Sequence, residues 1–396
     1  MRQKLHEITE NSLIDGLDAS DLNYLRAAYP KFMAPRRGGW ALVRAVGHVV
    51  LPSGTILRVR SAKAPAYALA SWLAYVDPSL RDLLLDREAD DLADEGAISG
   101  ILAAMYVKQL IRACSTSGVM RHYHPVQTLS AYVRGKIDFS RQIARGYDLS
   151  RVPCTSWERD PNTPLNCFLV AALERARQDP LVSTRLARSL ASATLLLSGV
   201  PARIDERLLH GKTPLQRDEW PFHGAYKLAR MILSNARLGD GQSLSGFAFM
   251  LDLERLFEGA VIKAFQSNGI DCTKKKKARY LESGPRNEYR LMYLDLLCTT
   301  PDGLLVVDAK FKHAINASNL QQMVTYCFMC GARKAWLVLP GEAKESSTFQ
   351  FDGPDGQPIV IETRFLATSA PDVVAWEANG RALVQSLVPG AQHPVP

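Results

Sequence analysis

Apolar and polar positions follow two rhythms along this chain of 396 residues, and the rhythm switches several times. From Trp40 to Val59 the alternation is that of strands, and the break at Pro52-Ser53-Gly54 predicts a β-hairpin in HVVLPSGTILRVR. From about Tyr67 to Cys114 apolar residues recur at spacings of three and four, which predicts helix. VRGKIDF at 133–139 reads as a short basic strand or turn, and the Pro-rich connector VPCTSWERDPNTPLN leads into an apolar helix from Cys167 to about Arg177. A polar connector covers 201–223, and ARLGDGQSLSG at 236–246 gathers turn formers between two periodic regions, as a domain boundary does.

Beyond that boundary the pattern is sharper. Leu253, Leu256, Phe257, Ala260, Val261, Ala264 and Phe265 form the stripe of a helix ending at Asn268-Gly269. KKKKARYL predicts a strand, and YRLMYLDLLC and LLVVDAKF, joined by TTPDG, predict a hairpin. A helix from about Ser318 to Gly331 is expected to bury Leu320, Met323, Val324, Cys327 and Phe328, and AWLVLP and IVIETRFLA predict two more strands. There is no internal repeat. The fold class is therefore α/β in the mixed α+β sense, in three parts: 1–130, β-rich then helical; 131–235, mostly helical; and 236–396, with the order helix, three strands, helix, strand.

Composition adds bounds. The first residues, MRQKLHEITENSLIDG, lack an apolar leader and LASATLLLSGV is too short to span a membrane, so a cytoplasmic protein is expected. Seven cysteines without regular spacing do not form a disulfide framework. Cys327 and Cys330 make a CxxC, but zinc needs two further ligands and neither Cys272 nor Cys298 has a close partner in sequence; buried helical thiols are expected. The net charge of +8 lies wholly before residue 236, since residues 236–396 carry 17 basic and 17 acidic side chains. Between Asp21 and Asp77 stand Arg26, Lys31, Arg36, Arg37, Arg44, Arg58, Arg60 and Lys63 with no acid, either a surface for a polyanion or acidic protein, or a solvated face. HGKT at 210–213 lacks the Gly-rich cradle of a phosphate loop, because Glu206 stands where its first glycine belongs. No nucleotide site is expected here.

The chemistry is carried by the 288–312 hairpin. A four-residue loop, Thr300 to Gly303, pairs Thr299 with Leu304 and sets Asp295 opposite Asp308. Alternation then puts both carboxylates and Lys310 on one face. Opposed like charges destabilise a hairpin and burial makes them worse, so something must neutralise them. Mg²⁺, which accepts a pair of carboxylates plus water and phosphate oxygens, does so, and Lys310 can stabilise developing negative charge or help activate water.

Glu258 on the first helix, D…DxK at Asp295, Asp308 and Lys310, and Gln322…Tyr326 on the following helix together resemble the PD-(D/E)xK nuclease core and the QxxxY element of its RecB-like members. VRGKIDF with TPLN at 163–166, DLERLFEGAV at 252–261, and VVDAKFK with LQQMVTY at 320–326 resemble the McrC family, the nuclease subunits of McrBC-type modification-dependent restriction systems. The resemblance implies a Mg²⁺-dependent DNA endonuclease for 236–396, with Glu258, Asp295 and Asp308 as metal ligands and Lys310 and Gln322 completing the catalytic set. It also implies a docking role for 1–130 on an McrB-like AAA+ GTPase ring, which reads 5-methylcytosine-type modified double-stranded DNA and whose GTP hydrolysis this subunit stimulates. Lys274, Lys275, Lys276, Lys277, Arg279 and Tyr326, with Arg286 and Arg290 nearby, are candidate DNA contacts. VRGKIDF and TPLN have no derivable chemistry and read as turns and helix starts. Two other readings remain at this point: an autonomous RecB-type repair or CRISPR-associated nuclease, and a regulatory assembly module whose nuclease is inactive.

Overall fold

In the run LLVVDA, the residues from Leu305 to Ala309 are all buried, so neither face of their strand meets water. Such a run belongs in the centre of a sheet covered on both sides, and that is where the computed structural model places it. The structure describes residues 4–387 apart from 63, 65, 78–97, 147, 238–247, 283–287, 313, 343–345 and 354–355.

The chain divides into two compact units: residues 1–101 together with 238–396, and residues 102–237. The first unit begins with β1 (Leu5–Thr9), α1 (Ala19–Ala28), β2 (Met33–Arg36), β3 (Gly39–Leu42), β4 (Ala45–Val50), β5 (Ile56–Arg60) and α2 (Ala66–Val76). The second holds α3 (Ile98–Ser117) from Leu102 onward, β6 (His122–Ser130), β7 (Lys136–Ile137), α4 (Phe139–Ala144), β8 (Val152–Asp160), α5 (Pro164–Arg177), α6 (Thr184–Leu196), α7 (Glu206–Leu209) and α8 (His223–Arg237). The first unit resumes with β9 (Ala248–Asp252), α9 (Leu253–Ser267), β10 (Asp271–Glu282), β11 (Glu288–Thr300), β12 (Gly303–Ala309), α10 (Ala317–Cys330), β13 (Lys334–Pro340), β14 (Thr348–Asp352), β15 (Pro358–Leu366) and α11 (Val373–Val384).

Two sheets organise the first unit. The larger runs β10-β11-β12-β13-β15-β14, antiparallel from β10 to β12, parallel from β12 through β13 to β15, and antiparallel again at β14. One of its faces is covered by α10 through Met323, Tyr326 and Cys327 against Val306, Ala335 and Leu337. The other carries an aromatic cluster in which Trp72 of α2 stacks on Trp376 of α11 (5.1 Å) and meets Phe257 of α9 and Phe311. The smaller sheet, β1-β5-β4-β9, contains the expected hairpin as β4 and β5. Its last strand, β9, leads straight into α9, where Asp252 caps the helix by accepting from the Arg255 N–H (3.3 Å). A three-part linear division of the chain therefore differs from the compact units at its first boundary: residues before 101 share a sheet and a core with residues after 247. The 236–246 boundary segment lies largely outside the described residues.

The second unit packs α3, α5 and α8, with the Tyr106 hydroxyl donating to the Leu169 carbonyl (2.6 Å) and Phe168 meeting Tyr226, beside the antiparallel sheet β6-β8-β7. Here VRGKIDF and TPLN acquire a physical account. Gly135 has φ +75°, and a Cβ there would stand 2.4 Å from the Thr155 carbonyl oxygen of β8; Asp138 caps α4. Thr163 caps α5 with Pro164 at its first turn, and the buried Asn166 amide donates to the carbonyls of Met120 (2.9 Å) and Pro161 (2.8 Å). Both motifs are fold-setting turns and helix starts.

Candidate active site

Thr299 pairs with Leu304 as expected, but the ladder closes one rung further, at Thr300 and Gly303, so the turn is Pro301-Asp302 and not a four-residue loop. The register is the same in both cases. At the other end the ladder between β11 and β12 stops at Leu296 and Val307, one rung short of the two aspartates. There β12 stays paired with β13 through Asp308 and Leu337, while the carboxylate of Asp295 accepts the Ala309 N–H (3.0 Å). The two acids thus sit where the strands stop exchanging hydrogen bonds, and Asp295 bonds the backbone one residue past Asp308.

Asp308 is 2 % exposed. Its Oδ1 accepts a hydrogen bond from Lys310 Nζ (3.1 Å), and the ammonium stands 2.8 Å from Oδ2 without making a hydrogen bond to it. Burial pushes the Asp295 carboxyl up to about 7, helped by the charges of Asp308 and Glu258 and opposed by the Ala309 N–H and Lys310. Asp308 is also pushed up, by burial first, with Lys310 opposing and Glu258 and Glu254 adding. For Lys310 burial acts downward, but Asp308, Asp295 and Tyr326 outweigh it and the ammonium is held above its usual range. The charge of Glu258 on α9 acts on both aspartates, and Lys310 pairs with Asp308. Glu254, one turn earlier on α9, is an acid that pattern reasoning passed over; it pairs with Arg44.

Gln322 and Tyr326 belong to the same locality. Gln322 Nε2 donates to the Tyr326 hydroxyl (2.6 Å), which donates to the Tyr293 carbonyl of β11 (3.0 Å). Tyr326 is 3 % exposed, so it does not lie on a DNA-facing surface as a candidate contact would; it ties α10 to the strand carrying Asp295. Phe328, expected in the core, is exposed, and Cys330 is half-buried, because α10 turns only one face to the sheet. Lys274 is exposed on β10. The side chains of Lys275, Lys276, Lys277, Arg279 and Arg290, and all of Arg286, lie outside the described residues.

Among the described residues no three His, Cys, Asp or Glu side chains are gathered closely enough to cage an ion as they stand. Mg²⁺ does not need such a cage, since it keeps several waters and takes one or two carboxylates. Two neighbouring carboxylates whose ionisation burial opposes are the hard-oxygen set that such a cation relieves.

The basic run of the first 77 residues is largely consumed internally. Lys31 pairs with Asp252 (3.1 Å), Arg44 with Glu254, and Arg58 and Arg60 share Glu7 (3.0 Å each), while Arg26 lies over the Trp40 ring. Lys63 lies outside the described residues. Among the described residues no helix is long and apolar enough to cross a membrane.

The family model for the McrBC 5-methylcytosine restriction system component matches residues 42–340. Among solved structures, the chain is similar to one in the refined half-complex from the tetradecameric assembly of Thermococcus gammatolerans McrB AAA+ hexamers with bound McrC. The TM-score is 0.66 at 17% identity, over 96% of this chain and 91% of that one. It is also similar to a chain in the cryo-EM structure of the Thermococcus gammatolerans McrBC complex, with a TM-score of 0.50 at 16% identity over 68% of this chain and 90% of the other. No curated protein matches.

Proposed function

The chain belongs to the McrBC 5-methylcytosine restriction system component family, and from that premise we propose that it is the McrC-like endonuclease subunit of such a system. It cuts DNA with Mg²⁺ and docks on an McrB-like AAA+ GTPase that supplies recognition, translocation and GTP hydrolysis, which this subunit stimulates. The observation that carries the nuclease reading is the grouping of Asp295, buried Asp308 and Lys310 where β11 and β12 stop exchanging hydrogen bonds, with the Glu258 carboxylate of α9 acting on both aspartates.

Asp295 and Asp308, with Glu258, hold the cation. When bound, the cation supplies Lewis-acid polarisation of the phosphodiester and a more acidic water. Lys310 places a positive charge where negative charge builds on the scissile phosphate, and its pairing with Asp308 keeps it protonated and aimed. Tyr326 and Gln322 fix the spacing of α10 and β11 around it. Exposed Lys274 and its basic neighbours on β10 contact backbone phosphates, which positions a duplex without reading its sequence.

Docking draws on residues 1–130 and on the second unit, where Tyr123 of β6 and Trp157 of β8 stand exposed at 55% and 65%, Tyr132 between β6 and β7 at 79%, and Phe139 of α4 at 68%. Large exposed aromatic side chains concentrated within one stretch of chain mark a contact surface. The test pairs two readouts on the complex with its AAA+ partner. Asp308→Asn is expected to lower cutting of methylated DNA by more than about 100-fold while GTPase stimulation stays within about twofold. Undiminished cutting by that variant removes the assignment.

A further inference from the structure

Cys272 of β10 and Cys298 of β11 are directly opposed in the antiparallel ladder, between the pairs Asp271–Thr299 and Thr273–Leu297. Opposed residues in such a ladder have Cα atoms about 4.5 or 5.5 Å apart, and both values fall inside the range of about 4.4–6.8 Å that a disulfide spans. Their side chains share a face, and the two thiols stand within hydrogen-bonding reach of each other. Sequence spacing hid this partnership, since it exists only through the register. The two thiols differ in environment. Cys298 is fully buried, whereas Cys272 is half-buried on the edge strand of the six-stranded sheet. The Cys272 thiol donates to the Ile270 carbonyl (3.1 Å); the neighbouring Cys298 thiol holds it below its usual range, and Cys272, with burial, pushes Cys298 up. The accessible thiol therefore stands directly across the ladder from a buried one, which is the arrangement of an attacking and a resolving cysteine.

We propose that Cys272 and Cys298 form a peroxide-responsive pair that closes to a disulfide joining the edge strand β10 to β11. The Cys272 thiolate attacks one oxygen of hydrogen peroxide; the O–O bond breaks, a sulfenic acid forms, and hydroxide leaves and is protonated to water. The Cys298 sulfur then attacks the Cys272 sulfur; the S–S bond forms, the S–O bond breaks, and the departing hydroxide takes the Cys298 proton to give a second water. Two thiols are oxidised by one electron each and one peroxide is reduced by two. The bond crosses a single rung of an existing ladder. It fastens the strand bearing Lys274 to the strand bearing Asp295, three residues before Cys298.

The test uses the reduced full chain, treated with equimolar hydrogen peroxide, alkylated and mapped by mass spectrometry of non-reduced peptides. A Cys272–Cys298 cross-link is expected as the main disulfide, reversible by dithiothreitol, with free Cys272 lost about tenfold or more faster than half-buried Cys330. Cys298→Ser is expected to accumulate a sulfenic acid at Cys272 that dimedone captures. The proposal is overturned if Cys272 and Cys298 remain alkylatable while other cysteines oxidise, or if Cys272 joins a different cysteine. The wild-type map decides this even where the buried serine variant folds poorly, and neither readout depends on DNA cutting.

Discussion

Asp308 is answered by one ammonium, and that pairing governs what a substitution costs. Lys310→Met leaves a buried carboxylate without its counter-charge, a change that costs about 3 kcal/mol or more in a protein interior. Urea unfolding at pH 8 is expected to show that loss, and a smaller one as pH is lowered, because burial already favours the protonated form of Asp308. Asp295 gives a second test. Its carboxyl rises from the ordinary 3.8 to about 7 in the folded chain, so between those values the folded state binds the extra proton. Its contribution to stability is present at low pH and is lost as pH rises through about 7. In EDTA the thermal midpoint is expected to fall between pH 6 and pH 8, and Mg²⁺ to restore it increasingly over the same interval, because the cation needs the deprotonated ligand. A Mg²⁺-induced shift that is flat or decreasing over that range contradicts the ligand role of Asp295.

At the level of elements, the site depends on how a strand and a helix are pinned. Gly47 in β4 has φ +140°, and a Cβ there would come 1.9 Å from the Phe249 carbonyl oxygen of β9, which no flexible side chain can relieve. Gly47→Ala is expected to cost about 3 kcal/mol or more and to loosen β9, the strand that launches α9 and Glu258; denaturant midpoint and tryptophan fluorescence measure it. Tyr326→Phe removes the hydroxyl between Gln322 and the Tyr293 carbonyl while keeping the ring in the core, so both lose that partner. Stability is expected to drop by about 1–2 kcal/mol. Cleavage turnover should fall about tenfold with the Mg²⁺ requirement unchanged, since the hydroxyl positions β11 and does not hold the ion.

Across the whole molecule, the proposed nuclease domain is not a contiguous stretch. Trp72, fully buried, fills the space between Trp376, Phe257 and Phe311, and β4 hydrogen-bonds β9. A fragment of residues 238–396 alone exposes that aromatic cluster and an unpaired strand, and is expected to aggregate or to lose near-ultraviolet circular dichroism. Trp72→Ala in the full chain is expected to cost about 3–5 kcal/mol, read from thermal or denaturant unfolding.

The pattern of apolar positions alone determined that α9 buries Leu253, Leu256, Phe257, Ala260, Val261, Ala264 and Phe265, that β4 and β5 form a hairpin, and that Thr299 faces Leu304. Strand alternation and turn length also grouped Asp295, Asp308 and Lys310 as one candidate set, because they act over a few residues and are written locally, while Glu258 joined that set only through the resemblance to the nuclease core. Tertiary structure decided the rest. That Asp295 bonds Ala309 beyond the end of a ladder, that Tyr326 turns inward, that Lys31 and Arg44 are spent on Asp252 and Glu254, and that Cys272 meets Cys298 all depend on which distant segments pack together. No local rhythm encodes such pairings, since burial and charge compensation are properties of the assembled core, where residues far apart in sequence become each other's solvent.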